Sequence, residues 1–206
     1  MRIVVATGNP HKIEEIRAVL APLGFTVLSL AETGRPVPAE PEEPHPTFEA
    51  NARLKALHYA RAIGEAVLAD DSGLEVDALG GAPGVHSAHW AGTEGSRAER
   101  DARNNAKLAE AMRGVPAHLR TARFVCTMCV ATPSGEVLVE TRGEMEGVIG
   151  EAPRGAHGFG YDPWLHLPER GVSSAELPPD EKNAVSHRGH AVRRLAYLVV
   201  HKRIRW

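Results

Sequence analysis

The first thirty residues constrain the fold most, because they switch between strand and helix periodicity within a short span. Residues 2–6 (RIVVA) form a β-branched run typical of a strand that is buried on both faces. After a break at 7–10, apolar residues follow helical spacing from about His11 to Gly24, and residues 26–30 indicate a second strand. This strand, loop, helix, strand order predicts an α/β fold.

The later segments predict that the sheet is mixed. Periodicity and capping signals place the other main elements as follows: helices from Thr47 to about Gly64, from Ser96 to about Arg113 and from Ser186 onward, and strands at 66–70, 123–132 and 136–147. The proline-rich stretch 33–46 is predicted to be a loop, and Pro133-Ser134-Gly135 a hairpin turn. We therefore expect a single α/β domain over residues 1–206, with a mixed sheet.

Composition excludes several classes of protein. The chain carries 24 Lys and Arg against 26 Asp and Glu, a balance that argues against binding to a nucleic-acid backbone. No apolar stretch approaches the ~18 residues that a membrane span needs, and no signal peptide is recognisable. We expect a soluble cytoplasmic protein that has no membrane partner.

The two cysteines have the C-x-x-C spacing of redox and zinc motifs. Cys126 and Cys129 lie within a predicted strand, however, where residues three apart point to opposite faces. They are therefore predicted to be reduced thiols in the core, which agrees with a cytosolic location.

The segment Thr7-Gly8-Asn9-Pro10-His11-Lys12 joins a predicted buried strand to the start of a helix. Unsatisfied backbone N–H groups and the positive end of the helix dipole suit a phosphate there. Gly8 would allow close approach of the backbone, and Lys12 adds a charge. The segment matches neither the Walker pattern nor G-x-G-x-x-G, so an ordinary turn with a surface lysine is the alternative.

Two adjacent carboxylates, Asp70 and Asp71, follow an apolar run. Neighbouring side chains of a strand point to opposite faces, so only one of them can face a given cleft. A carboxylate at the carboxyl edge of a strand is well placed to meet a ligand and suits Mg²⁺. The alternative is an Asp-Ser-Gly turn, which explains Asp71 but not the pair.

Two further segments carry candidate binding groups. Phe159 lies between two glycines in a predicted loop, where its ring can stack on a base or else fill a turn as one buried aromatic residue. Lys182, His187 and Arg188 precede or begin the last helix and can donate to phosphate or to a carbonyl oxygen. Their alternative is a helix cap with solvated charges.

Five segments, in this order, resemble the inosine/xanthosine triphosphate pyrophosphatase family: TGNPHK, TFEANARLKA, ADDSGLEVDALGGAPGVHSA, GFGYDP and EKNAVSHRG. The resemblance extends from residue 3 to about residue 200. It implies two α/β lobes around an elongated mixed sheet with flanking helices, an active-site cleft between the lobes, and a homodimer. It also implies Mg²⁺-dependent hydrolysis of ITP, dITP or XTP to the monophosphate and pyrophosphate.

The resemblance also implies roles for individual residues. Asp71 would be the catalytic carboxylate and a metal ligand, and Glu42 the second metal acid, with Glu43 as second choice. We expect Asp71 to orient or deprotonate a water molecule, and Asp70 to point away and brace the turn. The residues expected to contact substrate are Thr7, Gly8, Asn9, Lys12, Lys55, Ser72, Phe159, Gly160, Tyr161, Asp162, Lys182, His187 and Arg188.

The sequence departs from the family pattern at two places. Glu49 stands one place earlier than the usual acid of the second segment, and His86 and His89 replace the usual Tyr and Arg. The histidines are expected to alter a loop near the cleft or the dimer contact. Two other functions stay open: a nucleotide-binding module without catalysis, and a pyrophosphatase acting on modified pyrimidine triphosphates.

Overall fold

The computed structural model describes all residues, Met1–Trp206. The strands are β1 (Arg2–Ala6), β2 (Thr26–Ser29), β3 (Val67–Val76), β4 (Thr121–Ala131), β5 (Val137–Ile149), β6 (Leu165–Leu167) and β7 (Val172–Ser173). The helices are α1 (Pro10–Leu20), α2 (Phe48–Ile63), α3 (Arg97–Ala111), α4 (Pro179–Val185) and α5 (His187–His201). Short 3₁₀ turns occupy parts of the connecting loops.

All the strands belong to one seven-stranded sheet of order β2-β1-β3-β4-β5-β6-β7. β1 pairs in parallel with β2 and with β3, whereas β6 pairs antiparallel with β5 and β7. The predicted α/β fold with a mixed sheet is therefore confirmed. None of the helices has both the length and the apolarity required to cross a bilayer.

The chain packs into two compact units. Unit 1 comprises residues 1–71, 126–143 and 186–206, and unit 2 comprises residues 72–125 and 144–185. Because β3, β4 and β5 each contribute residues to both units, the division follows packing and does not follow element boundaries. The prediction of a single domain over residues 1–206 stays a prediction.

The core of unit 1 has two layers, one on each face of its strands. One layer joins strand residues such as Ile3 and Leu68 to Ile16 of α1 and Leu195 of α5. The other joins the alternate strand residues to α2, which is the reason that β1 reads as a continuous apolar run. Cys126 lies in the first layer, and Cys129 in the second, as free buried thiols. Burial raises the pKa of both to about 12, and the prediction of unpaired core cysteines is confirmed.

The core of unit 2 contains three of the buried aromatic rings, those of Phe124, Tyr161 and Trp164. Leu74 of β3, Leu108 of α3 and Phe124 of β4 pack with Tyr161 and Trp164. Tyr161 also donates its hydroxyl hydrogen to the Ser87 carbonyl oxygen at 3.0 Å. The glycine-rich segment that precedes Tyr161 is thereby fastened to the core of this unit.

The predicted helix starts are confirmed by their caps. The side chains of Asn9, Thr47, Ser96 and Ser186 accept backbone hydrogen bonds at the first turns of α1, α2, α3 and α5. Ser96 and Glu99 form the predicted capping box.

The main differences from the prediction are a longer β3 and the unpredicted elements β6, β7 and α4. β3 does not end at residue 70 but continues to Val76, so no Asp-Ser-Gly turn exists. Burial of Leu74 and Val76 on alternate positions explains the extension, since it restores strand periodicity after the polar residues. Helix α4 was not predicted, because its seven residues give too short a pattern for helical periodicity.

Candidate active site

The candidate site of unit 1 begins where β1 ends. Ala6, the last residue of β1, pairs with Ala69 of β3, so Asp70 and Asp71 lie on β3 just beyond the end of its neighbour. The prediction that the carboxylates end their own strand is wrong, since β3 continues to Val76. It is the shortness of β1, and the loop that follows it, that brings other side chains to this pair.

Asp70 is buried in an ion-pair network. Its Oδ2 lies 2.8 Å from Lys12 Nζ and 3.7 Å from Arg188 Nε, and Arg188 also pairs with Glu15 of α1. Burial alone would raise the pKa of Asp70, but Lys12, Arg188 and Lys55 together lower it far below its usual range. The expectation that Asp70 braces a turn is wrong: Asp70 holds α1 and α5 to β3 through two cations.

Asp71 contacts a different cation on the other face of β3. Its Oδ1 lies 3.5 Å from Lys55 Nζ, which also lies 2.9 Å from Glu43 Oε2. Burial raises the pKa of Asp71, and the nearby Lys55 offsets this only in part. Burial lowers the pKa of Lys55, but the surrounding carboxylates outweigh it and the net shift is upward.

The two neighbouring aspartates therefore differ in proton affinity. Asp70 is fixed as a carboxylate by a hydrogen bond from Lys12 and an ion pair with Arg188, whereas Asp71 is the more basic of the two. Pairs of titratable groups whose pKa values are pushed apart are a common mark of acid–base chemistry. The arrangement allows Asp71 to accept a proton or to orient a water molecule, and it excludes Asp70 from the same task.

The structure brings Glu43, and not Glu42, to this cluster. Glu42 is exposed and lines a separate groove of about 880 Å³ on the outer side of α2. Glu43 is half-buried and bonded to Lys55. The identity of the metal acid stays a prediction, and the position of Glu43 beside Lys55 favours the second choice, Glu43, over Glu42.

The chemistry of the donor set fits Mg²⁺. Asp71 and Glu43 both contact Lys55, and Mg²⁺ is commonly bound by one or two carboxylates together with phosphate oxygens and water. The structure contains no group of three or more His, Cys, Asp or Glu side chains arranged around one metal position.

The loop after β1 is ordered by its own side chains. Asn9 Oδ1 accepts from the backbone N–H of His11, and Thr7 Oγ1 accepts from that of Asn9, both at 3.1 Å. Asn9 Nδ2 is buried without a hydrogen-bond partner, and a Cβ at Gly8 would meet no atom within 4 Å. An unsatisfied donor and free space beside Gly8, at the start of α1, suit an anion.

Helix α5 lies directly on β5 at its first turn. A Cβ on Gly143 would overlap the main chain of His187, and Thr141 Oγ1 donates to the Ala191 carbonyl oxygen at 3.0 Å. His187 and Arg188 are both buried in this turn. Gly143 is thus required for the position of two predicted site residues.

Unit 2 carries a second cluster, centred on Asp162. Asp162 Oδ2 accepts from Lys182 Nζ at 2.6 Å and from the Phe159 N–H at 2.8 Å, while Oδ1 accepts from Ser174 Oγ at 2.8 Å. Asp162 is therefore fully engaged inside unit 2 and shapes the loop that carries Phe159.

The Phe159 ring is half-buried and flanked by cations. The guanidinium carbon of Arg97 lies 5.0 Å from the ring centroid and Lys182 Nζ lies 5.4 Å from it. The ring of Tyr161 is instead enclosed in the core, so it anchors the segment and offers no open face. Contact of the segment 159–162 with a base stays a prediction.

The remaining predicted residues are placed as follows. Ser72 is half-buried and directly follows Asp71. His86 and His89 are exposed in unit 2, with their rings edge-to-face at 5.6 Å. Glu49 forms a surface ion pair with Arg142, which gives it no contact with the carboxylates.

Several residues of these clusters were not predicted. Glu15 lies one turn after Lys12 on the same face of α1, but its pairing with Arg188 depends on tertiary packing. Asn51 holds the loop that carries Glu43 by bonding both the N–H and the carbonyl of His45 at 3.1 Å. Arg97, Asp101 and Asn105 contact the Phe159–Gly160 backbone or ring, and no local sequence pattern indicated this.

Known sequences resemble this chain over almost its whole length. A dITP/XTP pyrophosphatase from an Exiguobacterium species is 53% identical over 200 residues, covering 97% of each chain. The dITP/XTP pyrophosphatase of Thermus thermophilus is 49% identical over 195 residues, covering 95% of this chain and 90% of its own. That of Bacillus subtilis is 44% identical over 196 residues, with 95% and 96% covered.

Solved structures agree with this relationship. A HAM1 protein from Coxiella burnetii superposes with a TM-score of 0.85 at 37% identity, covering 98% of this chain and 99% of that one. A nucleoside-triphosphatase / dITP/XTP pyrophosphatase from Mycobacterium abscessus gives a TM-score of 0.74 at 42% identity, with 95% and 97% covered. The sequence profile of the Ham1 family matches residues 3–198. The chain therefore belongs to the Ham1 family.

Proposed function

We propose that the protein hydrolyses non-canonical purine nucleoside triphosphates, namely ITP, dITP and XTP, to the monophosphate and pyrophosphate. The observation that carries the proposal is the pair Asp70 and Asp71: Asp70 pairs with Lys12 and Arg188, whose charges lower its pKa, whereas Asp71 contacts Lys55 and burial raises its pKa. The names of the relatives, dITP/XTP pyrophosphatases, support the same substrate class.

The phosphate groups are assigned to the loop after β1 and the cations beside it. Lys12 and the N-terminal turn of α1 provide positive charge, and Asn9 Nδ2 provides a donor that has no partner within the chain. Lys55 adds a second ammonium group beside Asp71. These groups offset charge that develops on the leaving pyrophosphate, which is the main requirement in phosphoryl transfer.

Asp71 is assigned to the attacking water. Its raised pKa makes it a better proton acceptor than Asp70, and Lys55 keeps it oriented. The water oxygen bonds to the α-phosphorus as the bond from that phosphorus to the β-phosphate oxygen breaks, and Asp71 takes the proton of the water. Mg²⁺, held by Asp71 and Glu43, would supply Lewis-acid stabilisation of the phosphate oxygens.

The base is assigned to the segment that carries Phe159. The Phe159 ring can stack on a purine, and Lys182 beside it can donate to an acceptor oxygen. Hypoxanthine and xanthine carry such an oxygen at position 6, where adenine carries an amine. A buried donor left unpaired costs about 1–3 kcal/mol, so adenine would be disfavoured.

We also propose that the protein works as a cytoplasmic homodimer. The resemblance of the five sequence segments to the pyrophosphatase family supports this. Analytical ultracentrifugation at micromolar concentration tests it, and a monomeric mass would remove the proposal.

The deciding experiment measures pyrophosphate release from ITP, dITP and XTP against ATP and GTP, with Mg²⁺, for the natural protein and Asp71→Asn. We expect rapid release from the non-canonical nucleotides and its loss in the variant. Tight binding of ITP without any release would instead favour a nucleotide-binding module. Release from modified pyrimidine triphosphates alone would contradict the purine assignment.

A further inference from the structure

Three residues on one face of helix α3, Arg97, Asp101 and Asn105, form a stripe that contacts the segment carrying Phe159. The Gly160 N–H donates to Asp101 Oδ2 at 3.2 Å, and the Gly160 carbonyl oxygen accepts from Asn105 Nδ2 at 3.0 Å. Both backbone groups of one glycine are thus bonded to side chains one turn apart on the same helix. The two contacts fix the orientation of the peptide groups on either side of Gly160.

The same stripe reaches the ring itself. Arg97 lies one turn before Asp101, and its guanidinium carbon lies 5.0 Å from the centroid of Phe159. Arg97 Nε lies 3.8 Å from Asp101 Oδ2, so Asp101 contacts both the Gly160 backbone and the arginine over the ring.

Helix α3 is a rigid support for these contacts. Asn104 of α3, which precedes Asn105, is buried. Its side chain accepts from the Ala91 N–H at 2.8 Å and donates to the Ser87 carbonyl oxygen at 3.1 Å. Leu108 packs in the core of unit 2, and the Ser96 capping box defines the start of the helix. Because α3 is fixed to the core of unit 2, the stripe also fixes the Phe159 segment relative to that core.

Simple packing does not account for Asn105. Its Oδ1 is buried without a hydrogen-bond partner, which is unfavourable for a residue that only fills space. An apolar residue would fill the position without that penalty, so the donation to the Gly160 carbonyl oxygen is the feature that the amide provides.

We propose that Arg97, Asp101 and Asn105 form a specificity-determining stripe, in which Asp101 and Asn105 position the Phe159–Gly160 segment and Arg97 orders the Phe159 ring for the purine base. The proposal rests on the proposed function, because it concerns the same substrate. None of the three residues takes part in bond breaking, so they act on binding and base selection.

The test uses an isosteric change that removes the donor and adds one negative charge, which a control variant matches. In Asn105→Asp, an acceptor replaces the amide NH₂ that faces the Gly160 carbonyl oxygen. We expect KM for ITP to rise about tenfold, with kcat within about twofold of the natural protein, because one hydrogen bond that serves binding is lost. In Asn105→Asp, the ratio of kcat/KM for ITP to kcat/KM for ATP falls as well. Asp101→Asn keeps an acceptor for the Gly160 N–H, so its KM for ITP stays near that of the natural protein.

Two controls separate this effect from a general loss of structure. Ala102→Asp adds the same charge at an exposed position of α3 and leaves KM unchanged. Inorganic tripolyphosphate, which has no base, inhibits Asn105→Asp with the same constant as the natural protein. Arg97→Met, at a side chain that is 46% exposed, raises KM about threefold without affecting folding.

The outcomes distinguish the two proposals. If the natural protein hydrolyses ITP but Asn105→Asp matches Ala102→Asp in KM, the stripe is overturned and the proposed function stands. A fall in kcat or in tripolyphosphate affinity equal to the change in KM would also overturn it. If the natural protein binds ITP without hydrolysis, the proposed function fails, and the dissociation constants of ITP for the same variants decide on the stripe.

Discussion

The two faces of β3 at residues 70 and 71 show how one residue type serves opposite purposes. On one face, Asp70 is 2% exposed and meets Lys12 and Arg188 directly. On the other, Asp71 is 7% exposed and shares a single lysine with Glu43. Burial is similar on the two sides, and the number and distance of the cations differ.

The comparison teaches that charge compensation, and not burial, separates a structural carboxylate from a reactive one here. Burial raises the pKa of any carboxyl group, and only a sufficient set of nearby cations reverses the effect. Asp70 has that set and stays ionised. Asp71 lacks it and keeps a proton affinity that chemistry can use.

The largest effect is expected on the reactive face. Asp71→Asn keeps the size of the side chain and removes the proton acceptor, so we expect kcat for ITP to fall by about 10³-fold or more. Thermal unfolding should show no loss of stability, since a carboxylate with a raised pKa is not stabilised by the fold. Steady-state pyrophosphate release measures the first expectation. A variant that retained full activity would remove the distinction between the two aspartates.

Substitution of Asp70, on the structural face of β3, should lower the stability of the protein. Asp70→Asn leaves Lys12 and Arg188 without their common carboxylate, and breaking a buried ion pair typically costs about 3–5 kcal/mol. We expect a loss of this order in the free energy of urea-induced unfolding. Unchanged stability would mean that the cations do not depend on Asp70.

The two candidate metal acids sharpen the comparison further. Glu43→Gln should lower kcat at limiting Mg²⁺ by about tenfold and raise the Mg²⁺ concentration needed for half-maximal rate, as loss of one metal carboxylate does. Glu42→Gln is the matched control, because Glu42 lines the separate groove. Equal effects of the two substitutions, measured by Mg²⁺ titration of the rate, would argue against the placement of Glu43.

The smallest effect is in the pH dependence of stability. The lowered pKa of Asp70 adds stability that is present above its unfolded value of about 4 and is lost as pH falls below it. The raised pKa of Asp71 has the opposite sign, so its cost to stability disappears as pH falls through the shifted value. Urea titrations between about pH 3 and 7 should therefore show a shallower acid loss in Asp70→Asn and a steeper one in Asp71→Asn, with differences of about 1–2 kcal/mol.

Local patterns were sufficient to predict much of the fold. The β1 and α1 segments, the helix starts at Thr47, Ser96 and Ser186, and the strand placement of Cys126 depend on residues close in sequence, and each was predicted. The continuation of β3 was not, because a polar Asp-Ser-Gly stretch has turn character on its own and becomes a strand only through long-range pairing and packing.

The sequence predicted which residues belong to the candidate site more readily than it predicted which of them contact one another. The neighbouring aspartates were correctly placed on opposite faces from strand geometry alone. The partners of Asp70 and the choice of Glu43 over Glu42 could not be predicted, because they depend on how α1, α5 and a proline-rich loop approach β3. The Asp101 and Asn105 contacts with Gly160 depend on tertiary packing in the same way.

The close approach of Gly143 to the first turn of α5 has a consequence for mutational tolerance. A single methyl group there would push the backbone of His187 away from β5. In a screen for loss of function, Gly143→Ala should therefore group with substitutions at charged site residues, although glycine brings no functional group. Natural variation in this protein is accordingly expected to be as restricted at this position as at the carboxylates themselves.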